Sequence, residues 1–234
     1  SDVWTGYVMS GQVTSLYTLS IPNYQLVVNM AGELVETSVD NGDGTFTYNV
    51  PVREGYTWSD GSPITANDWE FTFDTVKSLS LGGNFLSSYP YSCEDEEGTA
   101  KNCVVSVVAS DDYTVSITFN YDPGLSTWQY GTAQGIAFSK AYWEQYATDK
   151  ETLYAHDATN APVASAFVYD KLEQGAFYTW KYDANTMWYG GTTTIYDGGG
   201  TSVDWDNGKA PAFSADFGNT TGDSFSYESG PFVG

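Results

Sequence analysis

Apolar and polar positions alternate along Thr45-Phe46-Thr47-Tyr48-Asn49-Val50-Pro51-Val52. That period of two predicts a strand with one buried face. The segment follows the turn signal Asp40-Asn41-Gly42-Asp43-Gly44, so Leu34 to Val39 is expected to pair with Phe46 to Val52 as a hairpin. Earlier, Tyr7-Val8-Met9 and Leu26-Val27-Val28 form short apolar stretches separated by a Pro22-Asn23 turn. The pattern then changes period. Trp69, Phe73 and Val76 recur at helical spacing behind Thr65 and Asp68. A threonine with an acid three residues on caps a helix start, which predicts a helix over 66–78.

Further along, Val104 to Val108 and Thr114 to Phe119 read as a second hairpin around Ser110-Asp111-Asp112-Tyr113. Pro123 to Gln129 starts a short helix, and Lys140 to Tyr146 forms another. Ala166 to Leu172 and Phe177 to Tyr182 form a third hairpin around Gln174-Gly175. From Gly190 onward the chain is rich in Gly, Thr, Ser and Asp, with weak periodicity. Hairpins with a few helices predict an α+β fold. The 41% hydrophobic content is enough for a packed core, and 19 Tyr, 12 Phe, 8 Trp and 24 Gly favour strands and turns.

Charge removes whole classes of function. Thirty acids against 8 bases give a formal charge of -22, which repels phosphate backbones and anionic lipid. No nucleic acid is expected as a partner. The charge fits solubility or salty or acidic surroundings, with a cationic ligand or bound divalent ions as the sharper reading. Cys93 and Cys103 bracket Glu94-Asp95-Glu96-Glu97-Gly98. A disulfide between them suits an oxidising, extracellular setting, and two unpaired thiols are the alternative. No stretch reaches membrane-span length and no leader pattern opens the chain, so an exported form is expected to have lost its leader. Asn219-Thr220-Thr221 is a glycosylation sequon.

The run Val52-Arg53-Glu54-Gly55-Tyr56-Thr57-Trp58-Ser59-Asp60-Gly61-Ser62-Pro63-Ile64-Thr65-Ala66-Asn67-Asp68-Trp69 closely resembles a signature of the extracellular peptide, dipeptide and nickel receptors of ABC importers. Val28 to Leu34 and Ala109-Ser110-Asp111-Asp112-Tyr113-Thr114-Val115-Ser116-Ile117 are similar to that family's flanking segments, and 164–172 and 181–191 occupy the places of later ones. The likeness spans roughly residues 15–191. Ser165 to Tyr169 departs from the family in lacking its glycines and proline, and Asp183 to Trp188 lacks its proline.

The resemblance implies a mixed-sheet lobe I of the periplasmic-binding-protein type over 1–191. Residues 192–234 are then the start of a second lobe or an assembly element. Family members run to about twice this length and trap ligand between two lobes. The resemblance implies that the family's first strand is missing ahead of residue 1 and that the chain stops where the second lobe would begin. The lobe is therefore expected to be part of a longer polypeptide or to serve another use. The signature residues read as scaffold: Asp60-Gly61 and Pro63 shape a turn, Thr65 and Asp68 cap a helix, and Trp58 and Trp69 bury large apolar area.

Catalytic chemistry finds little to work with. His156 is the sole histidine and reads as a solvated loop residue. Asp111-Asp112 could be imagined as general acid and base, but adjacent carboxylates in a tight turn are usually only a turn. The acidic loops 40–43 and 94–97 lack the spacing of a calcium-binding helix-loop-helix. No enzyme activity, cofactor or protein-bound metal is expected. The candidate ligand-binding residues are aromatic: Tyr89 and Tyr91 after the capped helix, and Trp128 and Tyr130 after the second hairpin.

The function implied is capture of a solute, chiefly a peptide, outside the cell, in the periplasm or at the cell surface, for delivery to ABC-importer membrane subunits. A structural cell-surface or filament subunit that reuses the lobe and self-assembles is the alternative. A carbohydrate-binding module, suggested by aromatics alone, stands third.

Overall fold

The computed structural model describes residues 13–19, 24–165, 167–173 and 177–182, with the strand segments 192–196, 202–206, 214–215 and 225–226. The third hairpin's Ala166 and Gln174-Gly175 turn, and the sequon at Asn219, lie outside the described residues. Two compact units divide the chain: Ser1–Gly55 with Pro63–Pro162, and Tyr56–Ser62 with Val163–Gly234.

The first unit is built on strands β1 (Thr14–Ser15), β2 (Tyr17–Leu19), β3 (Leu26–Val28), β4 (Val39–Asp40), β5 (Phe46–Pro51), β6 (Val104–Asp111), β7 (Thr114–Phe119) and β8 (Ile136–Ala137). Its helices are α1 (Ala66–Ser78), α2 (Asn84–Ser88), α3 (Gly124–Trp128), α4 (Lys140–Trp143) and α5 (Lys150–Ala155). An antiparallel four-stranded sheet runs in the order β4-β5-β7-β6. Along β7 the alternation holds throughout, with Val115, Ile117 and Phe119 fully buried and paired with Val50, Tyr48 and Phe46 of β5. Two register irregularities bend β6 against β7.

Helix α1 lies across the inner face of β6 and β7 and brings Trp69, Phe73 and Val76 into the core. Residues at i, i+4 and i+7 share one helix face, so the period read from the sequence places all three inward. Asp68 anchors its start. One carboxylate oxygen accepts from the Thr65 N–H at 3.0 Å, the other from the Lys140 N–H at 2.8 Å, which ties α4 to the helix N-terminus. The Ala66 N–H donates to the carbonyl of Asp112 in the β6–β7 turn, at 2.8 Å.

Two side chains of α1 also reach the outer backbone of β6, the last strand of the sheet. Glu70 accepts the Ala109 N–H at 3.1 Å, and Lys77 donates a long 3.5 Å bond to the Val105 carbonyl.

The first hairpin differs from its expected extent. Only Val39 and Asp40 pair with β5, although in the expected order, against Thr47 and Phe46. Residues 34–38 leave the ladder because side chains from elsewhere satisfy the backbone at Val35. The Tyr17 hydroxyl accepts the Val35 N–H at 3.1 Å and donates to the Glu33 carbonyl at 2.9 Å, while the indole N–H of Trp128 donates to the Val35 carbonyl at 2.9 Å.

In the second unit the signature forms the expected turn. Gly61 sits at φ +86°, Asp60 accepts from the Ser62 N–H at 2.9 Å, and the Trp58 N–H donates to the Ser62 carbonyl at 2.8 Å. Ser59 clasps Val163 in both directions at 2.9 Å, through its own N–H and through its hydroxyl. The third hairpin is present as β9 (Phe167–Glu173) and β10 (Phe177–Tyr182), antiparallel with one irregularity at Thr179/Trp180.

Candidate functional site

Because 34–38 separates from the sheet, an open cleft of about 410 Å³ remains between it, β3, β5 and α3. Tyr48 and Trp128 form its wall, their rings stacked at 3.7 Å between centroids and 10° between planes. Tyr17 and Phe119 meet this pair edge-on, each at 6.1 Å, which fixes it against the core. Leu26 contributes an apolar side, and Glu36, Asp122 and Gln129 contribute polar ones.

Local sequence explains how these groups arrive. Asp122 precedes Pro123, and α3 opens at Gly124 with φ +59°, a left-handed conformation that a side chain would strain. That sharp entry turns Trp128 inward and leaves Asp122 exposed at the mouth. The charge of Asp122 is felt by Tyr48: burial first, and then this carboxylate, push the phenol above its ordinary pKa.

Two of the side chains around the cleft already donate to the backbone. Trp128 donates to Val35, and the Gln129 amide nitrogen donates to the Tyr24 carbonyl at 3.1 Å. The carboxylates of Glu36 and Asp122, by contrast, accept no hydrogen bond from the described residues. Several aspartates elsewhere behave differently. Asp40, Asp43, Asp60, Asp95, Asp111 and Asp149 each accept a backbone N–H a few residues along their own loop or helix start.

The four aromatic residues singled out from sequence scatter. Trp128 is a wall of the cleft. Tyr130, two residues on, is 51% exposed. Tyr89 is fully buried, its hydroxyl donating to the Ile136 carbonyl at 3.1 Å, and burial pushes its phenol far up. Tyr91 is half-buried and donates to the Leu81 carbonyl at 3.2 Å. Sequence reasoning missed Tyr48, Glu36 and Asp122. Only the alternation through β5, which places Tyr48 on the inner face with Val50, pointed at any of them.

The cysteines form the Cys93–Cys103 disulfide. Within its loop Asp95 accepts the Glu97 and Thr99 N–H groups, at 3.1 and 2.7 Å. Asp111 likewise holds the Tyr113 N–H within the β6–β7 turn, at 2.8 Å. Among the described residues, no group of three or more His, Cys, Asp or Glu side chains is placed to hold a metal ion. Nor is any helix among them long and apolar enough to cross a membrane.

His156 is not the solvated loop residue expected. It is half-buried, stacks on Tyr146 at 3.5 Å, and shares a 2.9 Å hydrogen bond with the Tyr142 hydroxyl. The polar stretch around it gave no sign of this, because the partners come from α4 and the turn after it, 14 and 10 residues earlier in the chain.

The family model for bacterial extracellular solute-binding proteins, family 5 (middle), matches residues 29–210. Among solved structures, the oligopeptide-binding protein AppA of Bacillus subtilis, in complex with a nonapeptide, is similar with a TM-score of 0.60 and 16% identity over 80% of this chain and 33% of that one. NikZ of Campylobacter jejuni, in complex with Ni(L-His), gives 0.52 and 17% over 75% and 31%. A periplasmic oligopeptide-binding protein of Thermotoga maritima bound to mannohexaose gives 0.52 and 19% over 75% and 29%. The chain thus spans about a third of the length of these proteins, and at such identities the likeness is one of fold. No curated protein matches the sequence.

Proposed function

The chain belongs to the family 5 bacterial extracellular solute-binding proteins, and from that premise we propose that it captures a peptide outside the cell and hands it to the membrane subunits of an ABC importer. In this reading it is the first lobe of a two-lobe receptor that acts by binding and not by catalysis. The observation that carries the reading is the family match over residues 29–210. The fold likeness to AppA, whose structure holds a nonapeptide, supports a peptide as the ligand class. The cleft walled by Tyr48 and Trp128, with Tyr130 exposed nearby in sequence, offers such a ligand an aromatic wall and an open mouth. Neither the family match nor the fold likeness favours a structural or filament subunit.

The test is ligand-dependent melting. A peptide that binds the folded state adds about 2.7 kcal/mol of stability at a concentration one hundred times its Kd, a rise visible in a thermal scan. Titration with peptide pools of different lengths is expected to raise Tm. No rise with any pool overturns the reading.

A further inference from the structure

We propose that the cleft between 34–38 and α3 takes the ammonium or guanidinium group of a basic peptide side chain. This rests on the reading of the chain as a peptide receptor and adds the charge class of the ligand. The charge offered by the cleft is one-sided. Trp128 has given its indole N–H to Val35, and Gln129 one of its two amide N–H groups to Tyr24. The charged groups toward the opening are both carboxylates, those of Glu36 and Asp122, both exposed and neither hydrogen-bonded to a described residue.

A group that fits must bring donors and positive charge, with an aliphatic stem to lie along Leu26 and the ring edges of Tyr48 and Trp128. Lysine and arginine side chains meet all three requirements. An acidic or purely apolar side chain would leave two carboxylates unanswered.

What sets these two acids apart is their place, because Asp74, Asp112, Glu96 and Glu97 likewise accept no hydrogen bond from the described residues but do not line the cleft. Asp40, Asp43, Asp60 and Asp149 are equally negative, but their oxygens already hold local backbone N–H groups. At the cleft the acids are placed beside an aromatic wall with nothing of the chain to hold. Asp122 also acts on the wall itself, since its charge helps keep the Tyr48 phenol protonated.

The experiment is calorimetric titration of the chain with tri-lysine, tri-alanine and agmatine, a free cation bearing both groups. It is repeated on the double variant Glu36→Gln/Asp122→Asn, and on the control Glu96→Gln/Glu97→Gln, which removes the same charge from the disulfide loop. Tri-lysine is expected to bind about three- to tenfold tighter than tri-alanine, the range for solvent-exposed ion pairs. The preference should vanish in the cleft variant and persist in the control, with circular dichroism and Tm unchanged. Equal loss in both variants, or retention in the cleft variant, overturns the proposal. Equal binding of tri-lysine and tri-alanine by the native chain overturns it and leaves the peptide-receptor reading standing. Agmatine binding that is lost in the cleft variant, without any peptide binding, keeps the cation site and overturns the peptide as its source. No binding of any probe overturns both.

Discussion

The indole N–H of Trp128 donates to the Val35 carbonyl at 2.9 Å, across a sequence separation of 93 residues. This bond, with the Tyr17 hydroxyl on the Val35 N–H, takes the place of the ladder bonds that residues 34–38 would otherwise make with β5. Trp128→Phe retains a ring to stack on Tyr48 but removes the donor together with part of the buried ring volume. It is expected to cost at least about 1 kcal/mol in denaturant unfolding and to speed hydrogen exchange at Val35. Unchanged exchange there would show that the segment is held some other way.

How much of this was legible in the sequence depends on the range of the contacts involved. The helix from Ala66 to Ser78 and the alternating strand from Thr114 to Phe119 were readable because period and cap lie within a few residues of one another. The turn at Asp60-Gly61 was readable for the same reason. The departure of 34–38 was not, since hairpin chemistry argued for pairing and the competing hydrogen bonds come from Tyr17 and Trp128. Nor was the cleft, which needs Glu36, Tyr48 and Asp122 brought together from three separate segments. His156 was misread because a polar local sequence says nothing about the Tyr146 ring that the turn after α4 lays against it.

The Cys93–Cys103 bridge closes a loop of sequence separation 10. Loop-closure entropy for a ring of that size is about 2–3 kcal/mol at 25 °C. Replacing both cysteines by serine is expected to lower stability by about that amount. The native protein under reducing conditions should unfold at the same denaturant midpoint as the variant.

Gly135 sits against the ring of Tyr89. A Cβ there would lie 2.6 Å from both Cζ and the hydroxyl oxygen, and 2.9 Å from the Thr132 carbonyl oxygen. The ring is fully buried and cannot swing away. Gly135→Ala is expected to destabilise by about 1–3 kcal/mol. Adding Tyr89→Phe, which removes one of the clashing atoms, should recover part of the loss. A double variant no more stable than Gly135→Ala alone would locate the strain at Thr132 instead.

Alkaline stability follows from the buried phenols. Burial, opposed by the Val35 N–H and aided by the charge of Glu33, pushes Tyr17 up to about 12 from its ordinary value of 10.0. Tyr89 moves in the same direction through burial alone. A folded-state pKa raised above the unfolded value gives stability that is complete below pH 10 and is lost as pH rises through the folded value. For Tyr17 that stability is about 2–3 kcal/mol. Midpoints of denaturant unfolding should therefore fall steeply above pH 10. Tyr17→Phe should flatten the fall, although it also frees 33–35 and lowers stability at neutral pH.

The two side chains that α1 lays over the rim of β6 reach beyond the fold of a single molecule. A row of vacant amides and carbonyls at a sheet's border is a template on which another chain can crystallise as the next strand, and so begin an amyloid-like stack. At this border the Ala109 N–H is already held by Glu70 and the Val105 carbonyl by Lys77, and α1 lies along the same strand. The hydrophobic Val105 and Val108 remain exposed there without the full backbone pattern that would let them recruit a neighbour. The helix whose other face builds the core thus also blunts the open border of the sheet.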